Sequence, residues 1–156
     1  MTIRITAALI ALAAVSLAAQ ASGQHAAMAM GFDQDKTTHH FTLFTDGGAI
    51  DVSVKDPADT KNLAAIRAHL PHIAQMFGDG NFDTPMLVHG TKVPGTDVLA
   101  KAKAAVTYTY KETASGGRVD ITTTDATALA AAHAFLTYQI TDHKTGDSLL
   151  VRKRGR

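Results

Sequence analysis

Apolar and polar residues alternate from His39 to Thr45, with Phe41 and Leu43 on one side, and again through Ile50, Val52 and Val54. A period of two predicts two strands, and Asp46-Gly47-Gly48 between them reaches positive φ easily enough for a tight turn. With Asp46-Gly47 as the two-residue loop, Leu43 faces Ile50, Phe41 faces Val52 and His39 faces Val54. Moving the loop to Gly47-Gly48 preserves those faces, so His39 belongs to the apolar side. Beyond Asp56-Pro57 the period changes. Leu63, Ile66, Leu70, Ile73 and Phe77 recur at three-and-four spacing and predict an amphipathic helix, with a kink or break near His69–Pro71 where proline removes a backbone donor. Asn81 to Gly95 shows no period and reads as irregular, and a short helix is expected over Thr96–Lys103. A second hairpin sets Val106, Tyr108 and Tyr110 against Val119 and Ile121 across Ser115-Gly116-Gly117. The last helix runs from Asp125, a good N-cap, to His143, with Leu129, His133, Leu136 and Ile140 on one stripe.

The two halves repeat. Gly47-Gly48-Ala49-Ile50-Asp51-Val52 matches Gly116-Gly117-Arg118-Val119-Asp120-Ile121 at an offset of 69, and Asp56 falls where Asp125 falls. Each half reads strand, turn, strand, helix. The predicted fold is therefore α+β: a four-stranded, mostly antiparallel sheet with its two long helices on one face.

The amino terminus departs from this pattern. Arg4 precedes a 13-residue apolar run, Ala7 to Ala19, and Ala19-Gln20-Ala21 supplies the small residues of a cleavage site. These are the marks of a secretory signal peptide, and the run is too short to span a membrane. The expected organisation is a signal peptide over 1–21, a flexible leader over 22–36, one domain over 37–147 and a basic tail over 148–156, with the mature protein periplasmic or extracellular. A chain of 156 residues with 46% hydrophobic and 19% charged residues suffices for one core. Cleavage removes only Arg4 and leaves fourteen basic against fourteen acidic residues, four of the bases in the last five positions. That balance argues against a nucleic-acid partner. It leaves the oligomeric state open.

Histidine carries the candidate chemistry. All eight, His25, His39, His40, His69, His72, His89, His133 and His143, lie in the mature chain, which has no cysteine. Without thiolates, a soft metal would be held by imidazole and thioether. His69, His72 and Met76 share one helix flank, and His133 and His39 sit on apolar faces that the fold brings toward one layer. His25-Ala-Ala-Met28-Ala-Met30 places one imidazole and two thioethers within six residues. The candidate metal ligands are thus His39, His69, His72 and His133, assisted by His25, Met28 and Met30, for a copper ion before zinc. Each has a plainer role open to it: a wet helix flank for His69 and His72, a core hydrogen bond to Tyr108 or Tyr110 for His133, a helix dipole for His143.

Enzymatic signatures are lacking. The chain has no G-x-S-x-G elbow, H-E-x-x-H pair, phosphate loop or G-x-G-x-x-G, and Asp83, Asp97 and Asp142 are merely available to pair with a histidine. His39-His40-Phe41, Gly47-Gly48, Ile66-Arg67-Ala68-His69-Leu70, His72-Ile73-Ala74, Gly80-Asn81-Phe82 and Asp142-His143-Lys144-Thr145-Gly146-Asp147 resemble a group of small exported bacterial proteins without an established function. Some members carry the name aspartate carbamoyltransferase. This chain has neither the Ser-Thr-Arg-Thr loop nor the His-Pro-x-Gln such an enzyme needs, and about half its length. Two functions follow as expectations: exported metal binding by His and Met, or a non-enzymatic module that binds a ligand or protein and whose histidines are structural.

Overall fold

A computed structural model describes residues 30–155. Strands β1 (Thr37–Phe44), β2 (Gly47–Val54), β3 (Val106–Thr113) and β4 (Gly116–Thr123) form one antiparallel sheet in the order β1-β2-β4-β3. Helices α1 (Thr60–Gly78) and α4 (Ala126–Asp142) cover one face, and the shorter α2 (Asp83–His89) and α3 (Thr96–Lys101) link the halves. The α+β architecture expected from the pattern is the one observed.

Both hairpins turn before their glycines, the first one residue earlier than the expected Asp46-Gly47 loop, which moves each cross-strand partner by two. Phe44 pairs Gly47 and Thr113 pairs Gly116, so the loops are Thr45-Asp46 and Ala114-Ser115. Leu43 therefore faces Gly48, Phe41 faces Ile50 and His39 faces Val52, and the apolar face is unchanged because the shift is even. The glycines serve the sheet and its helices. A Cβ on Gly48 would collide with Leu136 of α4 and lie 2.6 Å from Thr42 O, and one on Gly117 would lie 2.9 Å from Leu70 Cδ1 of α1.

The sequence repeat is a structural one. Ile50 and Val119, equivalent at the offset of 69, pair directly at the centre of the sheet, which places a pseudo-twofold axis between them. Each long helix lies mainly on the hairpin of the other half, α1 on β3 and β4, α4 on β1 and β2. The helices match at an offset of 66: Asp59 caps α1 by accepting from Asn62 N, and Asp125 caps α4 by accepting from Ala128 N. Asp56 instead accepts from Ala58 N in the three extra residues before α1.

α1 passes through Pro71 without the expected break. Ile66 and Leu70 before the proline and Ile73, Ala74 and Phe77 after it are all buried on one face, and that packing outweighs one missing hydrogen bond. α2 occupies part of the stretch read as irregular. Its proline, Pro85, stands in the first turn, where no intrahelical donor is needed, and Gly90 ends it at φ +64°. On α4 the buried face is Ala128, Ala131, Ala132, Phe135, Leu136, Gln139 and Ile140, with Leu129 and His133 at its margin.

Neither end of the domain hangs loose. The leader, expected to be flexible to Lys36, is docked over its described part: Phe32 is buried in the core, and Asp33 N donates to Asn62 Oδ1. Apolar burial of one aromatic ring is enough to order so short a strap. At the other end Arg152 N donates to Leu43 O and Thr45 N donates to Arg152 O, adding a short parallel bridge to the edge of β1. Arg154 then reaches across the outer sheet face. Its guanidinium donates to Asp46, to Asp120 Oδ1 at 2.6 Å and to the carbonyls of Gly48 and Ile121, and lies 4.4 Å from the centre of the Phe44 ring. Removing it takes one of three cationic partners from the buried Asp120, which keeps Lys111 and Arg118. Arg154→Ala should cost about 1–3 kcal/mol in urea denaturation, and Arg152→Ala, whose bridge is made by backbone alone, under about 0.5. Equal losses would show the guanidinium to be idle.

Candidate functional site

Four histidines gather on one side of the domain, where the start of β1, the middle of α1 and the ends of α2 and α4 meet. The His39 and His143 rings stack at 5.7 Å and 11°, and His89 meets His143 edge-on at 5.0 Å. Phe32 from the docked strap lies 5.8 Å from His39 and 5.6 Å from His69. His39 is here because the inward side of β1 carries every second residue. His69 is here because it flanks the buried stripe of α1, and His143 because it is the C-cap of α4.

Burial sets the charge of this group. It pushes His39 down to about 4, aided by the neighbouring His143, His69 and His40, and pushes His69 down to about 4, aided by His72. His143 is lowered too, by burial and by His89, against the pull of Asp142. At neutral pH His39, His69 and His143 are therefore uncharged. The Nε2 atoms of His39 and His69 are buried with no hydrogen-bond partner among the described residues.

Beside the rings lies a pocket with about 60 Å³ of free space. Its floor is Phe41, Ile50 and Val52 of the sheet, its walls are Leu70, Ile73, Phe77 and Phe135, and Pro85 and Val88 of α2 form a cover. Met30, His69, Thr84, His89, Gln139 and His143 complete the lining. His89 has a side chain only 3% exposed; its Nδ1 is 2.7 Å from Asp142 Oδ2 and its Nε2 is 3.1 Å from Gln139 Oε1. The Gln139 amide nitrogen is buried without a partner among the described residues.

The expected metal ligands separate. His39 and His69 come together, with Met30 on the pocket wall. His72 is exposed on the outer side of α1. His133 points to the first hairpin, its Nε2–H shared between Phe44 O at 2.9 Å and Gly47 O at 3.1 Å. The reason is its place at the margin of the α4 stripe, over the loop instead of the sheet centre; the hydroxyls of Tyr108 and Tyr110, the partners expected for it, have no partner among the described residues. His25 and Met28 lie outside the described residues. Among the described residues no three His, Asp or Glu side chains are placed to share an ion. Sequence reasoning missed His89, Gln139 and Phe32, and gave His143 only a helix-end role. The available signal was the spacing of Gln139, Asp142 and His143 on the last turn of α4, which sets an amide, a carboxylate and an imidazole side by side.

Comparison with protein-family models, with curated proteins and with solved structures finds no match to this chain. The grouping suggested by its motifs rests on those residues alone.

Proposed function

We propose that this domain is a non-enzymatic binding module for a small, largely apolar molecule. One observation carries the reading: a mainly apolar pocket among whose lining residues Gln139 and the neutral His69 carry buried nitrogens with no partner among the described residues. Apolar walls with a few placed polar atoms are the ordinary make-up of a small-molecule site. A ligand that binds only the folded state raises its melting temperature, by about 2.7 kcal/mol of stability at a hundredfold excess over Kd. Cyclopentane and cyclopentanone are expected to raise the melting temperature and to shift backbone amide signals of α2 and Phe135. Val88→Phe, which fills the space from the cover, should fold normally and lose both responses. Indifference of the wild-type protein to both compounds would defeat the reading.

A second reading, capture of copper or zinc, is favoured by the gathering of His39, His69 and His143 beside Met30. It predicts a melting temperature that rises with Cu(I), Cu(II) or Zn(II) and no longer does so in His39→Ala with His69→Ala. An unchanged melting temperature with all three ions counts against it.

A further inference from the structure

Of the large apolar side chains exposed among the described residues, three are consecutive. Leu149, Leu150 and Val151 are 55%, 75% and 47% exposed, whereas Leu87 and Val98 stand singly on α2 and α3. One exposed leucine is ordinary; a run of three is not. The run is no loose end either, because it is pinned on both sides to the edge of β1. Before it, Asp147 Oδ2 accepts from Phe41 N at 2.8 Å and Asp147 Oδ1 lies 2.9 Å from His40 Nδ1. After it, Arg152 N donates to Leu43 O at 3.0 Å, and Asp46 and Asp120 hold the Arg154 guanidinium.

The two anchor points on β1 are two residues apart, about 7 Å, whereas the five steps from Asp147 to Arg152 can span about 17 Å. The surplus chain has to bow away from the sheet edge. Leu150 N donates to Ser148 Oγ at 3.2 Å, which tightens the bow. A polar loop would anchor as well, since the contacts to β1 are made by the Asp147 side chain and the Arg152 backbone. Charge continues the pattern. Ser148 to Arg154 carries three bases and no acid, while residues 22–151 hold ten bases against fourteen acids. Arg154 is engaged by the sheet; Arg152 and Lys153 are exposed, and no carboxylate among the described residues pairs with either.

We propose that the Leu149–Val151 loop docks the domain on an anionic lipid bilayer, its apolar side chains among the headgroups and upper acyl chains and Arg152 and Lys153 on the lipid phosphates. Three side chains fall far short of the roughly 800 Å² that a stable protein interface takes from each partner. A bilayer has no such threshold. It surrounds each apolar side chain that enters, and bases next to the point of entry add their attraction to anionic headgroups. The acidic remainder of the domain is repelled by the same surface, so the loop leads. Docking at this edge is independent of the pocket reading.

Tryptophan fluorescence tests this in the full chain, which has no tryptophan of its own. In Leu150→Trp, vesicles of phosphatidylcholine mixed with phosphatidylglycerol should shift the emission to the blue, and vesicles of pure phosphatidylcholine should do so far less. Thr109→Trp, exposed on the opposite edge strand β3, should not respond. Each readout is local to one residue, so contact of another segment with lipid does not mimic it. Adding Arg152→Gln and Lys153→Gln to Leu150→Trp should raise the half-saturating lipid concentration by about tenfold at low salt, and adding Leu149→Ser and Val151→Ser by a similar factor. All these side chains are exposed, and circular dichroism should show every variant folded. Emission indifferent to the mixed vesicles, an equal response to pure phosphatidylcholine, or an equal response at Thr109→Trp would overturn the proposal. So would a blue shift without lipid that grows with protein concentration while light scattering shows a dimer, which assigns the loop to a second copy, or one produced by dextran sulfate alone, which assigns it to a polyanion.

Discussion

Gly116→Ala should leave no folded domain, and Gly47→Ala should do the same. The two positions are equivalent at the offset of 69, and both lie at the start of a central strand. A Cβ on Gly116 would run into Val52 O and stand 2.9 Å from Ser53 Cα; one on Gly47 would run into Ile121 O and stand 2.8 Å from the carbonyl carbon behind it. All four obstacles are backbone of the partner strand, which cannot withdraw without opening the β2–β4 ladder. Gly47 also sits at φ +140°, which L side chains rarely adopt. Because the obstacles are backbone, the expected loss at each site exceeds about 5 kcal/mol, comparable to the whole stability of a marginally stable domain. Gly117→Ala is the internal control. Its Cβ would meet Tyr110 Cε2 at 2.7 Å and Leu70 Cδ1 at 2.9 Å, both ends of side chains that can swing, so about 1–3 kcal/mol is expected. Far-ultraviolet circular dichroism and urea denaturation of the three variants check the order. Gly116→Ala within about 1 kcal/mol of wild type would mean the central strands lie further apart than described.

Those glycines also explain where sequence reasoning stopped short. Alternation, helical spacing and the Asp125 cap are local, and each led to the right element on the right face. The hairpin register is not local: Gly47 and Gly116 look like turn residues and are consumed by a strand that lies far away in sequence. α2 was illegible because a seven-residue helix has too few turns to show a period. His39 and His69 could be placed in the site because strand alternation and a helix stripe put them there. His89 could not, since its position depends on how α2 crosses α4. His133 was misplaced because a helical wheel gives the face of a residue without saying which part of the sheet lies beneath it.

Stability should fall by about 3 to 4 kcal/mol as pH drops from 7.5 to 4.5, and the imidazoles rather than the carboxylates should cause it. His39 and His69 titrate near 4 in the fold and near 6.5 when unfolded. Between those values the unfolded chain takes up protons that the folded chain refuses. Stability therefore rises with pH across that window, is flat above it and levels off below about 4. His39 supplies the larger part, because His69 has more contact with water and its share is discounted accordingly. The two best-bonded carboxylates act elsewhere on the scale. Asp120, paired with Lys111, Arg118 and Arg154, and Asp147, bonded to Thr145, Phe41 N and His40, are held below the ordinary carboxylate value of 3.8, so their stabilisation is lost only at more acid pH. His39→Phe keeps a flat ring between Phe32 and His143 and has nothing to titrate. In that variant the slope between pH 6.5 and 4.5 should shrink to less than half, while the acid limb below 4 stays. A wild-type urea midpoint unchanged from pH 7.5 to 4.5 would mean that these rings are solvated in the folded protein. The strap would feel protonation first, because Phe32 is the contact shared by His39 and His69, and the backbone amides of residues 31–36 should exchange with solvent at a higher pH than the sheet does.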